Sequence, residues 1–304
     1  MTDTASAWVV FPVAALVAIG AVAAALLDAA LAPARVAGPV RLLVAETARL
    51  LRQRNRTVIG SDRLLRTVGC ALPLTAALLM APVVPFGGAP AFDQRLGLVW
   101  FNAIDVLLWA AWWLIGWGSN SAFGLVGGYR FLAQALAYEL PLMFALTSAA
   151  VAAGSLSSGA IVDAQQNGWF VLQMPIAFVV FLGASAAFAS WRPFDHPSGR
   201  DVTGGLEVEL AGAEVLMLRA GRFALLAVNA AMGAALFLGG PDGPGLPGWA
   251  WSTVKTLILL TAVVALRRLP SVPAERAMRA AWVAVLPLTL VQTLIAALIA
   301  FGRS

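Results

Sequence analysis

The chain has 304 residues, of which 61% are hydrophobic and only 12% are charged, and its mean hydropathy is +0.85. Soluble domains contain about twice that share of charged residues, so the composition excludes a water-soluble enzyme and a disordered chain. A single cysteine and a single histidine exclude a disulfide scaffold, and also a Cys/His metal, haem or iron–sulfur site built by this chain alone. Lipid must therefore solvate much of the chain.

Eight apolar stretches are long enough, at about 20 residues each, to cross a bilayer as helices. They are roughly 8–32, 64–84, 96–116, 131–153, 169–190, 215–239, 249–266 and 281–301. The sequence thus predicts an all-α, polytopic membrane protein with a single transmembrane domain over residues 1–304. The first stretch is too long for a signal peptide, and no basic residue precedes it, so we expect a retained helix.

The basic residues predict the orientation of these helices. Of 20 basic residues, all but one are arginines, and they cluster at the ends of apolar stretches, which is typical of membrane topology rather than of nucleic-acid binding. If segments 33–63, 117–130, 191–214 and 267–280 are cytoplasmic, seventeen arginines lie on that side when the adjoining helix ends are counted, and two lie outside. Because positive charge favours the inner side, we expect both termini to lie outside.

The first cytoplasmic segment contains a different kind of helix at residues 40–53. Its charged side chains lie largely on one side, and its apolar face is formed by Val40, Leu43, Val44, Thr47, Leu50 and Leu51. This pattern predicts an amphipathic helix that lies in the membrane interface. An ordinary surface helix of the loop is the alternative.

Four ionisable residues fall deep inside the predicted spans, where charge is costly and functional roles are common. At about 1.5 Å per residue, Glu139 and Arg222 lie roughly 12 Å deep, and Asp105 and Lys255 roughly 17 Å. The matched depths predict two ion pairs, Glu139 with Arg222 and Asp105 with Lys255. The alternatives are hydrogen-bonded structural carboxyls, and basic side chains that extend to the nearer interface.

Several motifs between about Gly38 and Pro287 are similar in order and spacing to those of one known family. They are GWGSNS at 116–121 with YE at 138–139, WRPFD at 191–195 with ELAG at 209–212, and VKT at 254–256. These motifs resemble the H subunit of bacterial NADH:quinone oxidoreductase, the subunit 1 family of respiratory complex I. The superfamily includes the membrane anchors of energy-converting NiFe hydrogenases.

The resemblance implies a subunit of the bacterial plasma membrane that docks the hydrophilic arm, forms the quinone tunnel and couples quinone reduction to proton translocation. It implies quinone as substrate, an iron–sulfur cluster in a partner subunit, and no cofactor or catalytic activity in this chain alone. The implied partners are other membrane and hydrophilic-arm subunits of a complex I-like assembly and the lipid bilayer, without nucleic acid. The alternatives are the anchor of a hydrogenase- or formate-hydrogenlyase-like complex, and a scaffold-only paralogue.

The candidate site residues follow from this resemblance together with the buried charges. The quinone tunnel and proton coupling are assigned to Arg130, Glu139, Asp195, Glu209, Arg222, Lys255 and Asp105. The quinone entrance is assigned to Leu43, Glu46 and Leu50. The chain departs from the family at Arg222, where a Glu is usual, at Asp105, where a small or uncharged residue is usual, and at 197–201, where an acidic stretch is usual. We therefore expect an altered proton route.

Overall fold

The computed structural model describes residues 7–31, 38–54, 56, 58–166, 168–199 and 204–302, and within these ranges it contains helices and no strand. The helices are α1 (Val10–Leu31), α2 (Pro39–Arg52), α3 (Arg63–Met80), α4 (Gly97–Gly118), α5 (Ala122–Ala153), α6 (Ser158–Asp163), α7 (Phe170–Gln173), α8 (Pro175–Phe188), α9 (Ala213–Leu238), α10 (Gly248–Ala265), α11 (Ala274–Ala280) and α12 (Leu286–Phe301). Short 3₁₀ turns extend α3 to Val83 and α10 to Arg268.

Seven helices in the described part of the chain are long and apolar enough to cross a membrane. They are α1, the extended α3, α4, α5, α9, the extended α10, and the 28-residue helix Ala274–Phe301. In the last of these, a π-helical turn at Ala281–Val285 joins α11 to α12. The all-α membrane fold predicted from the sequence is therefore confirmed.

The remaining predicted span, residues 169–190, forms an interrupted helix. Helix α7 ends at Gln173, and α8 begins at Pro175 and has 14 residues. Between them, Met174 adopts φ −137° and ψ 62°, outside the helical region. Proline disfavours a helical conformation in the residue before it, which explains the break.

Helix α5 begins nine residues before the predicted span. Only Ser119–Ser121 separate α4 from α5, and Asn120 has a positive φ of 46° in this tight connection. Most of the predicted cytoplasmic loop 117–130 is therefore helical, and Arg130 lies within α5. The predicted span 131–153 is only the most hydrophobic part of α5, and the helix begins before it, at Ala122.

Helix α9 lies at the centre of the bundle, where α1, α3, α8 and α10 pack against it. In the most apolar 18-residue stretch of α9, 78% of the residues are buried, compared with 17% in α1. Small residues allow close helix contacts, as in other membrane proteins. A Cβ added at Gly221 would lie 2.7 Å from the backbone nitrogen of Leu74 on α3.

Candidate functional site

Most charged contacts between elements lie at one end of the bundle, where α4 ends and α5 and α9 begin. We call it the arginine end. Here Arg267 contacts the carboxylate of Asp28, which links the end of α10 to α1. Arg219 Nη1 on α9 lies 2.8 Å from Glu46 Oε1 on α2. The segments predicted to face the cytoplasm thus meet at one end of the molecule.

The segment 191–212, of which residues 191–199 and 204–212 are described, is attached to α5 at the arginine end through its second part. Arg130 Nη1 donates a hydrogen bond to the carbonyl oxygen of Gly204 at 2.7 Å, and Ser121 Oγ donates to Glu209 Oε1 at 2.9 Å. A Cβ added at Gly127 would lie 2.5 Å from the backbone nitrogen of Leu206. Arg130 and Glu209 therefore hold this segment against the start of α5.

Asp195 lies in the same segment, and Arg192 Nε donates to its Oδ2 at 3.0 Å. The other oxygen, Oδ1, is buried and accepts no hydrogen bond from the described residues. The carbonyl oxygen of Pro193, which follows a cis peptide bond, accepts from the backbone nitrogen of Val272 at 2.8 Å. The segment therefore also packs against residues that precede α11.

Two buried ion pairs at the arginine end were not predicted from the sequence. Arg66 Nη2 on α3 lies 2.8 Å from Glu214 Oε1 on α9, with side chains 1% and 4% exposed. Arg222 Nη1 lies 2.7 Å from Glu207 Oε1, and the same guanidinium donates to the carbonyl oxygens of Ala189 and Ser190. Each pair balances two charges that would be costly to bury alone.

A signal for these pairs is present in the sequence. Arg66 is the fourth residue of α3 and Glu214 the second of α9, so both enter the bundle rather than remain in a loop. In the count of cytoplasmic arginines, Arg66 is one more charge at a helix end. That count does not reveal its partner. The predicted pairing of Arg222 with Glu139 is wrong, since Glu207 lies closer along the chain and binds Arg222 instead.

Asp105 and Glu139 lie side by side in the interior of the membrane-spanning part. Each acid accepts a hydrogen bond from a neutral side chain of the facing helix. Asn102 Nδ2 donates to Glu139 Oε1 at 2.8 Å, and Tyr138 Oη donates to Asp105 Oδ1 at 3.2 Å. Asp105 is fully buried on the face of α4 that also buries Leu108. We call Asp105 and Glu139 the carboxyl pair.

The position of the carboxyl pair shows that the predicted depth of Glu139 is wrong. Glu139 is 17 residues after the start of α5 at Ala122, or about 25 Å along the helix at 1.5 Å per residue, and not the predicted 12 Å. Because α4 and α5 run in opposite directions through a three-residue turn, this extra length brings Glu139 level with Asp105. Glu139 therefore meets another acid rather than Arg222.

Lys255 on α10 is directed to the opposite end of the bundle. Its Nζ donates to the carbonyl oxygens of Leu238 and Asp242, both at 2.6 Å, and lies 4.6 Å from the ring centroid of Trp169. A cation is favourable at the carboxyl end of a helix such as α9. The predicted Asp105–Lys255 pair is wrong, because Lys255 extends outward to cap α9.

Helix α2 is attached to the bundle by apolar and ionic contacts. Leu50 is buried and Leu43 half-buried, whereas Val40 and Val44 are exposed. Glu46 bonds Arg49 on its own helix and Arg219 on α9. The hydrogen bond from Arg49, and then the contacts with Arg219, lower the pKa of Glu46 from 4.5 to about 2, although partial burial opposes them. Glu46 is thus ionised at neutral pH.

An open groove follows the exposed side of α2. It is lined by Gly38, Pro39, Val40, Arg41, Val44, Ala45 and Ala48. These residues include Val40 and Val44, two exposed members of the predicted apolar face.

Residues 4–297 match the family model described as NADH dehydrogenase. The H 1 subunit of NADH-quinone oxidoreductase from Rhodopseudomonas palustris (strain HaA2) is 35% identical over 264 residues, which cover 86% of this chain and 83% of the relative. The H 1 subunit of the same enzyme from Geobacter metallireducens is 32% identical, covering 86% and 84%. The H subunit from Geobacillus thermodenitrificans is 31% identical, covering 88% and 83%.

Proposed function

Because the chain belongs to the NADH dehydrogenase family, we propose that it is the H subunit of a membrane-bound NADH:quinone oxidoreductase. The observation that supports this most strongly is the similarity to proteins named as that subunit over more than four fifths of both chains. These relatives favour the quinone oxidoreductase over the hydrogenase anchor. In this role the chain contributes no redox centre of its own. Electrons reach quinone from an iron–sulfur cluster in a partner subunit.

The arginine end is the surface that receives the hydrophilic arm. Positive residues favour the cytoplasmic side of a membrane, and this end holds Arg130, Arg192, Arg219 and Arg267. The segment 191–212 is fixed to α5 by Arg130 and Ser121, so it presents a defined surface to a partner. In this orientation both termini lie outside the cell.

Quinone enters along α2. The exposed Val40 and Val44 line an apolar groove, while Leu50 and the Glu46–Arg219 contact hold the helix against the bundle. An apolar quinone tail would lose contact with lipid gradually along such a surface. Asp195 and Glu209 lie in the neighbouring segment 191–212, where the quinone head would approach the partner subunit.

Proton coupling uses charges inside the spans. Reducing a buried quinone consumes protons and changes the local charge, which acts strongly on nearby ionisable groups at low dielectric. Arg222 is bound to Glu207, so it does not hold Glu139 in an ion pair. Glu139 therefore remains available as a proton carrier despite the altered residues around it.

The experiment that tests the proposal is isolation of the intact complex through an affinity tag on this chain in mild detergent. We expect hydrophilic subunits with NADH- and iron–sulfur-binding sequences to co-purify, and the complex to reduce quinone with NADH. A strain without the chain should lose this activity in its membranes, and the tagged chain should restore it.

The proposal would be wrong if a hydrogenase large subunit co-purified instead, or if NADH:quinone reductase activity persisted unchanged in the deletion strain. For the quinone entrance, Leu43→Glu should raise the apparent KM for quinone. Ile59→Glu, which places the same charge on a 95% exposed position of the loop between α2 and α3, serves as the matched control.

A further inference from the structure

The guanidinium of Arg222 joins the end of α8 to the second part of the segment 191–212. Its Nε donates a hydrogen bond to the carbonyl oxygen of Ala189 at 2.8 Å, and its Nη2 donates to that of Ser190. Its Nη1 donates to Glu207 Oε1 at 2.7 Å. All three nitrogens of the side chain are therefore used, and they bind the chain where it leaves α8 and again where it approaches α9.

These contacts are buried, so other groups cannot easily replace them. Ala189 and Ser190 are fully buried, and Arg222 is 9% exposed. The two carbonyls follow the last residue of α8, where the helix supplies no partner for them, and a buried carbonyl without a partner is costly. A planar guanidinium presents its donors in a fixed geometry. Arg222 thus fixes the direction in which the chain leaves α8.

The two described parts of the segment, 191–199 and 204–212, are fixed to each other. The backbone nitrogen of Leu206 donates to the carbonyl oxygen of Pro197 at 2.9 Å. A Cβ added at Gly205 would overlap the carbonyl oxygen of Gly199, so the two backbones are in close contact. A residue that fixes the second part therefore also fixes the first part, which contains Asp195.

The same turn of α9 also holds the helix at the proposed quinone entrance. Arg219 Nη1 lies 2.8 Å from Glu46 Oε1 on α2. Arg219 precedes Arg222 by three residues, and residues at this spacing are neighbours on a helix surface. One turn of α9 therefore determines how far α2 lies from the segment 191–212.

We propose that Arg222 and Glu207 are positioning residues for quinone reduction. They hold the segment 191–212 at a fixed distance from α2, so that a quinone entering along α2 reaches the place where its head is reduced. This inference rests on the proposed function, in which both elements form the quinone path. The pair transfers no proton and no electron. It acts through geometry, and a displacement of about 1 Å can cost about a hundredfold in rate.

The test uses the intact complex with Arg222→Met or Arg222→Lys. The kcat/KM for decylubiquinone and for menadione is measured per assembled complex, so that a loss of assembly alone does not change it. We expect Arg222→Met to lower kcat/KM at least about tenfold, since the segment is no longer held in place. NADH oxidation by ferricyanide, a water-soluble acceptor that need not enter the membrane, should stay at the wild-type rate.

Arg222→Lys separates charge from geometry. Lysine retains the positive charge beside Glu207, but it has no planar fork to reach the carbonyls of Ala189 and Ser190 at the same time. We therefore expect this variant to assemble like the wild type and to keep a lowered kcat/KM for both quinones. Full recovery of kcat/KM would contradict the inference, because charge alone would then be sufficient.

Arg268→Met is the matched control, because Arg268 is an exposed arginine at the same end of the bundle and its loss should leave kcat/KM unchanged. If Arg222→Met does not assemble, Glu207→Gln keeps the shape of the side chain and should lower kcat/KM at least about threefold, since a hydrogen bond between charged groups is lost. An unchanged kcat/KM in the Arg222 variants and in Glu207→Gln would overturn the inference. A wild-type complex that oxidises NADH with ferricyanide but reduces neither quinone would instead contradict the proposed function.

Discussion

The buried acids at the arginine end have different partners from those in the middle of the bundle. At the arginine end, Glu214 and Glu207 each bind a guanidinium, so the charges balance and the contacts connect separate segments. In the middle, Asp105 and Glu139 have no basic partner among the described residues, and their hydrogen-bond donors, Tyr138 and Asn102, are neutral. We expect the arginine-bound acids to connect segments of the fold, and the acids without a basic partner to take part in coupling.

The largest expected effect comes from breaking a compensated pair. Arg66→Met leaves Glu214 buried without a partner, which costs about 3–5 kcal/mol. Arg66→Met combined with Glu214→Leu removes both charges and should recover most of that stability. Thermal unfolding of the complex in detergent would measure both. Arg63→Met, at an exposed position of the same helix, should change little. Equal destabilisation by the single and double variants would show that the pair is not coupled.

A smaller effect is expected where α5 meets the segment 191–212. Gly127→Ala would place a methyl group 2.5 Å from the backbone nitrogen of Leu206, so the segment must move, at a cost of about 1–3 kcal/mol. Limited proteolysis should then cut this segment faster. Gly183→Ala, with open space around the added Cβ, is the control. If both variants resist protease equally, the close contact does not hold the segment.

The sequence predicted the fold well because membrane helices are specified by long apolar stretches. Seven of the eight predicted spans correspond to long helices, and Pro175 interrupts the eighth. Boundaries were less accurate, since hydrophobicity does not show that α5 continues to Ala122 beyond its most apolar part. This error made the predicted depth of Glu139 too small, so that it matched the predicted depth of Arg222.

The contacts of the buried charges could not be predicted from depth. Depth along one helix says nothing about which helices touch, and Arg66, Glu207 and Glu214 resemble ordinary charges near helix ends. Lys255 illustrates the same point, because its flexible side chain reaches the carboxyl end of α9. By contrast, the amphipathic pattern of α2 predicted a real helix, of which one side faces the protein and the other is exposed.

The smallest effect is expected at α2. Glu46→Gln removes the contact with Arg219, which is partly exposed and so contributes less than about 1 kcal/mol. Because the pKa of Glu46 is lowered to about 2, the contact is fully present above the ordinary pKa of 4.5 and is lost only as the pH falls towards 2. The apparent KM for quinone should therefore rise in the variant by the same factor at about pH 6 and about pH 8. A factor that changes between these pH values would contradict this assignment.

One comparison tests the central distinction most directly. Protons translocated per electron should be measured in the complex with Glu139→Gln and in the complex with the double change Arg66→Met and Glu214→Leu. We predict that Glu139→Gln lowers the ratio while NADH:quinone electron transfer continues, and that the double variant keeps the wild-type ratio. An unchanged ratio in Glu139→Gln, or an equal loss in both, would contradict the view that only the uncompensated acids couple quinone reduction to proton movement.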